Sequence, residues 1–400
     1  MALLTPYSRS EERFFYALAA LGGLIVAIGL GSAFYMEHHG HAVTGMTNQV
    51  VWGLPHVFAI FLIVAASGAL NVASIGSVFG KAVYKKRAPL SGLLTLAMLG
   101  GGLFVLMLDL GRADRVIVAA THYNFTSVFA WNVFLYSGMF AIVAVYLWTL
   151  MERRMNPWSK PVGLVAFFWR LILTTGTGSI FGFLVARQAY GSALLAPMFI
   201  VISFAWGLAV FIVVQAIMYR WNKTSLHPLV LQRMKNLLGL FIGAAFFFVL
   251  VYHLTNLYFA KQIAFEKFIL LESGFAALFW VGYVLIGCVL PLFLIYSPIG
   301  TRCGAVLAAS LAVIFGGFAL LYVFIIGGQA FPLEIFPGMD VSSSFYDGQV
   351  EHYAPSLPEF LLGIGGIGVA FLVTTVGVRV LHFLPQDDLS QLEAAGNITD

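Results

Sequence analysis

The chain has 400 residues, of which 60% are hydrophobic and 10% are charged, and its formal net charge is +4. This composition indicates an integral membrane protein, and the absence of a basic run excludes nucleic acid as a partner. The two cysteines, Cys288 and Cys303, form no CxxC or CxxCH motif. We therefore expect no iron–sulfur cluster and no haem of the chain's own.

Ten apolar segments follow one another along the chain, and each is long enough to cross the hydrocarbon core of a bilayer as an α-helix. They predict an all-α, polytopic helical bundle in which residues 1–400 form a single transmembrane domain. The segments are 14–36, 51–79, 90–108, 127–151, 162–186, 194–219, 237–258, 268–296, 303–326 and 357–383.

The distribution of lysine and arginine predicts the orientation, because cytoplasmic loops of membrane proteins are enriched in these residues. Fifteen of the 21 lysines and arginines lie on one side of the predicted spans, five lie on the other side, and Arg170 lies within the fifth span. Both termini are on the richer side. We therefore predict that both termini face the cytoplasm, and we refer to the two sides as inner and outer.

The junction between the third and fourth spans, residues 108–131, is polar for a chain with so few charges. The charge count places it on the outer side, where it contributes one part of a larger polar set. Further polar groups lie at the outer ends of other spans, so that six helices contribute to the set. The junction carries Asp109, Arg112, Asp114, Arg115, His122, Tyr123 and Asn124.

A quinone site would account for polar groups that converge on one side of the membrane. Oxidation of a quinol releases two electrons and two protons, so each ring oxygen needs a hydrogen-bond partner and the protons need a titratable route to water. The candidate proton acceptors are His56, Asp109, His253 and Glu272, with Glu272 placed just inside the eighth span. The candidate ring-binding residues are Tyr123, Asn124, Gln188 and Ser192.

Three alternatives remain open from the residues alone. Each polar group could be a helix cap or an interhelical hydrogen bond, and Asp109 with Arg112 could form an interfacial ion pair. His56 and His253 are the only histidines at similar depth that could both ligate a haem b. A transporter or proton channel without a redox role is the third alternative.

Arg170 and a histidine cluster have simpler expected roles. Arg170, in the inner half of the fifth span, is expected to extend its side chain toward the inner interface, with a proton route as the alternative. His38, His39 and His41 lack a fourth ligand at recognisable spacing, so we expect a solvated loop and no metal.

Several motifs together resemble the NrfD/polysulfide-reductase family of membrane subunits. They are Asp109-Leu110-Gly111-Arg112 after the third span, Asn124-Phe125-x-Ser127, Gln188-x-x-Gly191-Ser192, Glu272, and Pro358-Glu359 at the start of the last span. Ten spans resemble the longer branch of that family, which includes the hydrogenase-2 membrane subunit HybB. The second span looks closest to the DsrP type, from the sulfite-reductase-associated DsrMKJOP complex.

The resemblance implies a quinone-interacting subunit of an oxidoreductase complex in the bacterial inner membrane, binding menaquinone or ubiquinone without a redox cofactor of its own. It implies docking of a periplasmic ferredoxin-like iron–sulfur subunit and electron exchange with the quinone pool. For the DsrP type it adds a multihaem cytochrome c, cytochrome b/iron–sulfur subunits and a link to sulfite or sulfide metabolism. The resemblance leaves proton translocation open.

Overall fold

A computed structural model of the protein describes residues 9–221, 226–333, 348–381 and 383. Within these ranges ten helices are long and apolar enough to cross a membrane, which confirms the all-α prediction and a multi-pass membrane protein. Their bounds are α1 Arg9–His39, α2 Leu54–Ser77, α3 Ala88–Leu108, α4 Val128–Met151, α5 Ser159–Gly182, α6 Leu195–Trp221, α7 Pro228–Tyr258, α8 Gly274–Tyr296, α9 Cys303–Ala330 and α10 Leu357–Leu381.

The orientation across the membrane stays a prediction of the charge pattern. We call the end of the bundle at which α2 begins and α3 ends the predicted outer face, and the opposite end the predicted inner face. Even-numbered helices run from the predicted outer face to the predicted inner face, and odd-numbered helices run back. Side chains at the start of α2 and at the end of α3 are therefore neighbours.

Several of the helices begin with local signals that the sequence provides. Proline in the first turn lacks an amide hydrogen that would have no partner there, and its φ angle suits a helix. At α10, Ser356 and Glu359 form a reciprocal capping box: the Ser356 amide donates to the Glu359 carboxylate at 2.7 Å, and the Glu359 amide donates to the Ser356 hydroxyl at 3.4 Å. The prolines are Pro55 in α2, Pro89 in α3, Pro228 in α7 and Pro358 in α10.

The spans pack as two four-helix rings with two outer helices. Helices α2, α3, α4 and α5 contact one another in a closed ring, and α6, α7, α8 and α9 form a second ring. The rings meet where α2 packs on α6. Outside the rings, α10 packs on α2 and α3, and α1 packs on α10. Helix α2 is therefore surrounded by protein along nearly its whole length.

Glycine allows the two rings to meet closely. A methyl group on Gly68 of α2 would overlap the carbonyl of Ser203, and one on Gly207 of α6 would overlap the backbone at Gly68 and Ala69. The α2 and α6 backbones thus touch directly, as is typical of small residues at membrane helix interfaces. This contact fixes the position of α2 relative to the second ring.

Two predicted boundaries differ most from the structure. Helix α7 begins at Pro228 and not at residue 237, because His227 caps it and its first turns extend beyond the apolar stretch. Helix α8 begins at Gly274 and not at residue 268, because Ser273 is extended, with φ −108° and ψ 167°. Residues 260–272 instead form short helical turns at the predicted outer face. Apolar content alone could not separate these turns from the span.

Candidate functional site

A histidine and a carboxylate meet at the predicted outer face. His56 is the third residue of α2, and Asp109 is the first residue after α3. The His56 Nδ1 atom lies 2.8 Å from Asp109 Oδ2, and the Asp109 side chain is only 1% exposed. Two neighbouring antiparallel helices thus bring together residues that are 53 positions apart in the chain.

The pair has unused hydrogen-bonding capacity. Asp109 Oδ2 faces His56 Nδ1, and Asp109 Oδ1 is buried without a hydrogen-bond partner in the described structure. Buried polar atoms are almost always hydrogen-bonded in folded proteins, so such a group needs water or a ligand. The pair can therefore bind a polar group of another molecule.

The turn after Asp109 explains the glycine in the Asp-Leu-Gly-Arg sequence. Gly111 has a φ angle of +70°, and a methyl group there would overlap the His41 ring. Beyond the turn, the Arg112 guanidinium donates two hydrogen bonds to the Asp114 carboxylate, at 2.9 and 3.0 Å, and both side chains are exposed. This contact lowers the pKa of Asp114. The alternative of an Asp109–Arg112 ion pair is therefore wrong, since Asp109 faces His56.

Trp52 lies beside the His56 ring. The two ring planes are 24° apart and their centroids are separated by 6.0 Å. The indole also contacts Phe129 of α4 and Phe181 of α5 edge-on, at 6.4 and 5.6 Å. These rings form an aromatic wall next to the His56–Asp109 pair.

Gln329, at the end of α9, holds the backbone that carries Trp52. Its Oε1 accepts hydrogen bonds from the Val51 and Trp52 amides at 3.0 Å each, and its Nε2 donates to the Trp52 carbonyl at 3.0 Å. Arg187 donates to the carbonyls of Gln329 at 2.9 Å and Gln49 at 2.7 Å. Burial lowers the pKa of Arg187. The second ring therefore positions Trp52 over a histidine of the first ring.

Glu359 contacts the residues around the first turn of α2 from α10. It is fully buried and accepts hydrogen bonds from the amides of Gly45 and Ser356 and from the Tyr353 hydroxyl, at 2.8, 2.7 and 2.7 Å. The Tyr353 oxygen in turn accepts from the Leu54 amide at 2.7 Å. Burial and this carboxylate raise the pKa of Tyr353. These bonds give Glu359 a structural role in holding α10 against α2.

A second histidine–carboxylate contact lies in the other ring. His253 Nδ1 is 2.7 Å from Glu266 Oε2, and Asn256 Nδ2 donates to Glu266 Oε1 at 2.7 Å. Glu266 is fully buried. A small cavity of about 20 Å³, lined in part by His253, Tyr252 and Phe324, lies beside it. That volume is enough for about one water molecule.

Ring contacts connect the two histidines across the interface between the rings. From His56 the contacts run through Trp52, Phe181, Phe324 and Tyr252 to His253, with centroid separations between 5.0 and 6.1 Å. Four aromatic side chains therefore lie between His56 and His253.

Comparison with known proteins establishes the family. Residues 42–333 match the family described as "Polysulphide reductase, NrfD". The chain belongs to the NrfD family. The matched region includes most of the spans, the His56–Asp109 pair and the His253–Glu266 pair. The resemblance inferred from the Asp109–Arg112 and Gln188–Ser192 motifs is confirmed, while the narrower DsrP-type branch stays a prediction.

Curated relatives extend over much of the chain. The protein is 28% identical to the "Hdr-like menaquinol oxidoreductase integral membrane subunit" of Archaeoglobus fulgidus, over 93% of this chain and 94% of that protein. It is 26% identical to a "Putative dimethyl sulfoxide reductase membrane subunit" of Halobacterium salinarum, over 90% and 89%. It is 25% identical to one of the polysulfide reductase chains of Wolinella succinogenes, over 71% and 96%. These similarities place the protein among membrane subunits of oxidoreductases.

The other residues predicted for the site of this NrfD-family protein lie on elements other than those that carry the His56–Asp109 pair. Tyr123 is exposed and stacks on Phe125, and the Asn124 side chain accepts hydrogen bonds from Thr126 at 2.7 and 3.1 Å within an exposed turn. Gln188 and Ser192 lie in the turn between α5 and α6, where the Ser192 hydroxyl accepts from the Leu194 amide. Their contact with a quinone ring stays a prediction.

The predicted position of Glu272 is wrong. It lies two residues before α8 and is exposed, because Ser273 interrupts the helix. The buried carboxylate of this region is Glu266, which the span boundaries assigned to an outer loop. A usable signal was its place between Phe265 and the apolar run 268–271, because a charge flanked by apolar residues is often buried with a partner.

The expected position of the Arg170 side chain is also wrong. Arg170 is 1% exposed and does not extend to an interface; its guanidinium lies between the Phe167 and Phe204 rings, with its carbon 4.8 and 5.2 Å from their centroids. Phe167 belongs to α5 and Phe204 to α6, so the Arg170 side chain points into the contact between these two helices. His38 and His39 lie in the last turn of α1 and not in a loop, and among the described residues no group of three or more histidines, cysteines and carboxylates is placed to hold a metal.

Proposed function

We propose that the protein is the quinone-reactive membrane subunit of an oxidoreductase complex, and that the His56–Asp109 pair accepts protons from a quinol. The observation that carries the proposal is a histidine–carboxylate pair at the predicted outer face, in which the buried carboxylate keeps one oxygen without a partner in the described structure. Lipid-soluble quinols reach such a position laterally from the bilayer. The aromatic wall of Trp52, Phe129 and Phe181 offers a face for a quinone ring.

The chemistry follows from the pairing. A carboxylate on Nδ1 stabilises the imidazolium and orients the ring, so Nε2 of His56 is the atom that takes the proton. A quinol hydroxyl that donates to Nε2 loses its proton there as its electrons leave. Two electrons and two protons are released for each quinol. An iron–sulfur centre of a partner subunit would accept the electrons one at a time, and His56 would pass the first proton to water before it takes the second.

The partner is proposed to be a periplasmic ferredoxin-like iron–sulfur protein. The segment 110–125, directly after Asp109, exposes charged and aromatic side chains at the predicted outer face, among them Arg112, Tyr123 and Phe125. Docking there would bring a cluster close to the pair. Cytochrome c or cytochrome b/iron–sulfur subunits of the same complex are a further part of this proposal.

The substrate and pathway are proposed from the relatives. We propose menaquinol, because the Archaeoglobus fulgidus relative is named a menaquinol oxidoreductase subunit. The name of the Wolinella succinogenes relative, a polysulfide reductase, supports a link to sulfur compounds. A bacterial cytoplasmic membrane is consistent with both proposals.

The haem alternative receives no support from the geometry. Two axial ligands of one haem must face each other across the iron, but four aromatic side chains lie between His56 and His253. A transporter would be expected to place its polar site near the midplane, on interrupted helices, whereas the pair lies at a helix start and a helix end.

The direct test replaces the two members of the pair. His56→Gln and Asp109→Asn keep size and polarity but remove the proton acceptor or its charge. We expect the quinol-dependent electron-transfer rate of the purified complex to fall about a hundredfold in each. His38→Gln, an exposed histidine at the end of α1 and outside the segment 110–125, is the control and should keep the wild-type rate. Co-purification of the partner subunits reports assembly. Wild-type rates in both pair variants would contradict the proposal.

A further inference from the structure

We propose that an apolar cavity near the predicted inner face is a binding site for a membrane phospholipid, which inserts one acyl chain between the helices and places an anionic headgroup beside Arg379. The cavity has a volume of about 370 Å³ and lies between the α1–α10 pair and helices α2, α3, α6 and α9. The proposal does not depend on the quinone chemistry, because the His56–Asp109 pair lies at the opposite end of the bundle.

The cavity arises from the way in which α10 joins the bundle. Helix α10 packs on α1, α2 and α3, whereas in the described part of the chain it makes no extended contact with α6 or α9. In their outer halves α1 and α10 touch through glycine, since a methyl group on Gly29 would overlap the Gly365 Cα atom. Nearer the predicted inner face, Phe15 and Leu18 of α1 line the cavity instead. A cleft therefore remains between α10 and the second ring.

The lining of the cavity suits a hydrocarbon chain. The described residues that line it are apolar, with the exceptions of Thr374, Thr375 and Arg379. Folded proteins leave few voids of such a size, and apolar cavities of about 150 Å³ already stay dry and take up apolar molecules. Within the described structure the lining contains no histidine and no carboxylate, so a quinol would meet no proton acceptor there.

The length of the cavity matches the hydrocarbon of one leaflet. Along α10 the lining extends from Ile367 to Arg379, which corresponds to a rise of about 18 Å. One leaflet contributes about 15 Å of hydrocarbon, half of the apolar core of a bilayer. An acyl chain that enters at the predicted inner face can therefore fill the cavity while its headgroup stays at the interface.

Aromatic side chains close the deep end of the cavity. The Phe61 and Phe318 rings line this end and are stacked, with their centroids 4.1 Å apart. Phe58, one turn nearer to His56, contacts Phe318 with a centroid separation of 5.0 Å. These rings lie between the cavity and the level of His56, so the chain end would rest on them.

The inner end of the cavity carries a cation and aromatic side chains. The Arg379 guanidinium carbon lies 5.3 Å from the centre of the Phe15 ring, and the exposed Glu12 carboxylate is 4.0 Å from the guanidinium. Phe14 and Trp221 meet edge-on at 4.5 Å and bridge α1 and α6. Arginine and tryptophan at an interface favour anionic headgroups. The bridge leaves less room for a partner helix, which is about 10 Å across, than for a single acyl chain.

The test places a photoreactive group on the acyl chains. Cells that express the complex are supplied with a fatty acid that carries a diazirine near its methyl end, their membranes are irradiated, and adducts on the purified complex are mapped by mass spectrometry. We expect label at Phe61, Leu94 and Met98, which line the cavity and are only 2–3% exposed. The mass of the adduct should correspond to an anionic phospholipid such as phosphatidylglycerol.

Two pairs of variants locate the chain and the headgroup. Val214→Trp places a larger side chain in the cavity and should abolish this label, whereas Val145→Trp, on an exposed face of α4 at similar depth, should keep it. Arg379→Gln should lower the ratio of anionic to zwitterionic phospholipid among the adducts about fivefold. Lys160→Gln, which removes an exposed cation at the predicted inner face, should leave that ratio unchanged.

Several results would overturn the proposal. Label at the three residues that persists in Val214→Trp would show that the chain does not occupy the cavity. Absence of this label from the wild-type complex would show that a partner helix or another molecule fills it. An unchanged lipid ratio in Arg379→Gln would exclude the anionic headgroup, and label at the same residues from a photoreactive azidoquinone would assign the cavity to a quinone. If Val214→Trp fails to assemble with its partner subunits, the Arg379→Gln result decides.

Discussion

At the scale of residues, the site depends on how His56 is held from two directions. Asp109 contacts Nδ1 from the first ring. Gln329 holds the backbone of Trp52, which lies against the imidazole, and Arg187 donates to the Gln329 carbonyl. The acid–base group and the aromatic surface therefore come from different parts of the chain. Proton transfer and ring binding should be separable by mutation.

Trp52→Leu tests that separation. Loss of the aromatic face should weaken quinol binding, because a ring contact contributes about 1 kcal/mol. The His56–Asp109 pair should stay in place. We expect KM for a quinol analogue to rise about fivefold, with kcat changed less than about twofold. Steady-state kinetics at varied quinol concentration measure both. Trp158→Leu, an exposed tryptophan near the opposite face, is the matched control. A fall in kcat at unchanged KM would contradict this role for Trp52.

His56 and Asp109 could be found from the sequence because a titratable residue within an apolar run is costly and must have a partner. Their pairing with each other was not predicted; it arises because α2 and α3 are antiparallel neighbours. Gln329 and Trp52 could not be found in this way, since neither carries a charge and their contact joins positions 277 apart. Glu266 was missed because it lies beyond the end of a span, where a charge ordinarily contacts water.

At the scale of elements, the contact between α2 and α6 aligns the two rings and so positions Gln329 relative to Trp52. Spans were predictable from apolar length alone, and their number was right. Helix ends were less predictable where a cap extended the helix past the apolar run, at Pro228, or where a single extended residue interrupted it, at Ser273. Packing partners were not predictable, since nearly every span is apolar on all sides.

Gly207→Ala tests the α2–α6 contact. A methyl group there would overlap the α2 backbone, which has no rotamer with which to move away. Overpacking of this kind costs about 1–3 kcal/mol. We expect a lower Tm in detergent, measured by intrinsic fluorescence, together with reduced quinol turnover. Gly243→Ala on α7, where a methyl group meets nothing within 4 Å, should leave Tm unchanged. Equal Tm values for the two variants would exclude a close backbone contact at Gly207.

At the scale of the whole molecule, two cavities in the described part of the chain can be compared with the His56–Asp109 pair as places for a quinone. One is the small cavity beside His253 in the second ring, which is too small for a quinone ring. The other is an apolar cavity of about 370 Å³ near the predicted inner face, between the α1–α10 pair and α2, α3, α6 and α9. Phe15, Trp221 and Arg379 line its inner end, and Phe61 and Phe318 line its deep end. Its lining includes no histidine–carboxylate pair.

The location of the bound quinone tests the central claim most directly. A photoreactive azidoquinone, irradiated on the purified complex and mapped by mass spectrometry, should label peptides that contain Trp52, His56 or Asp109. Excess menaquinone should prevent the labelling, and Trp52→Leu should reduce it. Labelling confined to peptides of the apolar cavity or of the His253–Glu266 region, and unaffected by Trp52→Leu, would contradict the assignment of the quinone site to the His56–Asp109 pair.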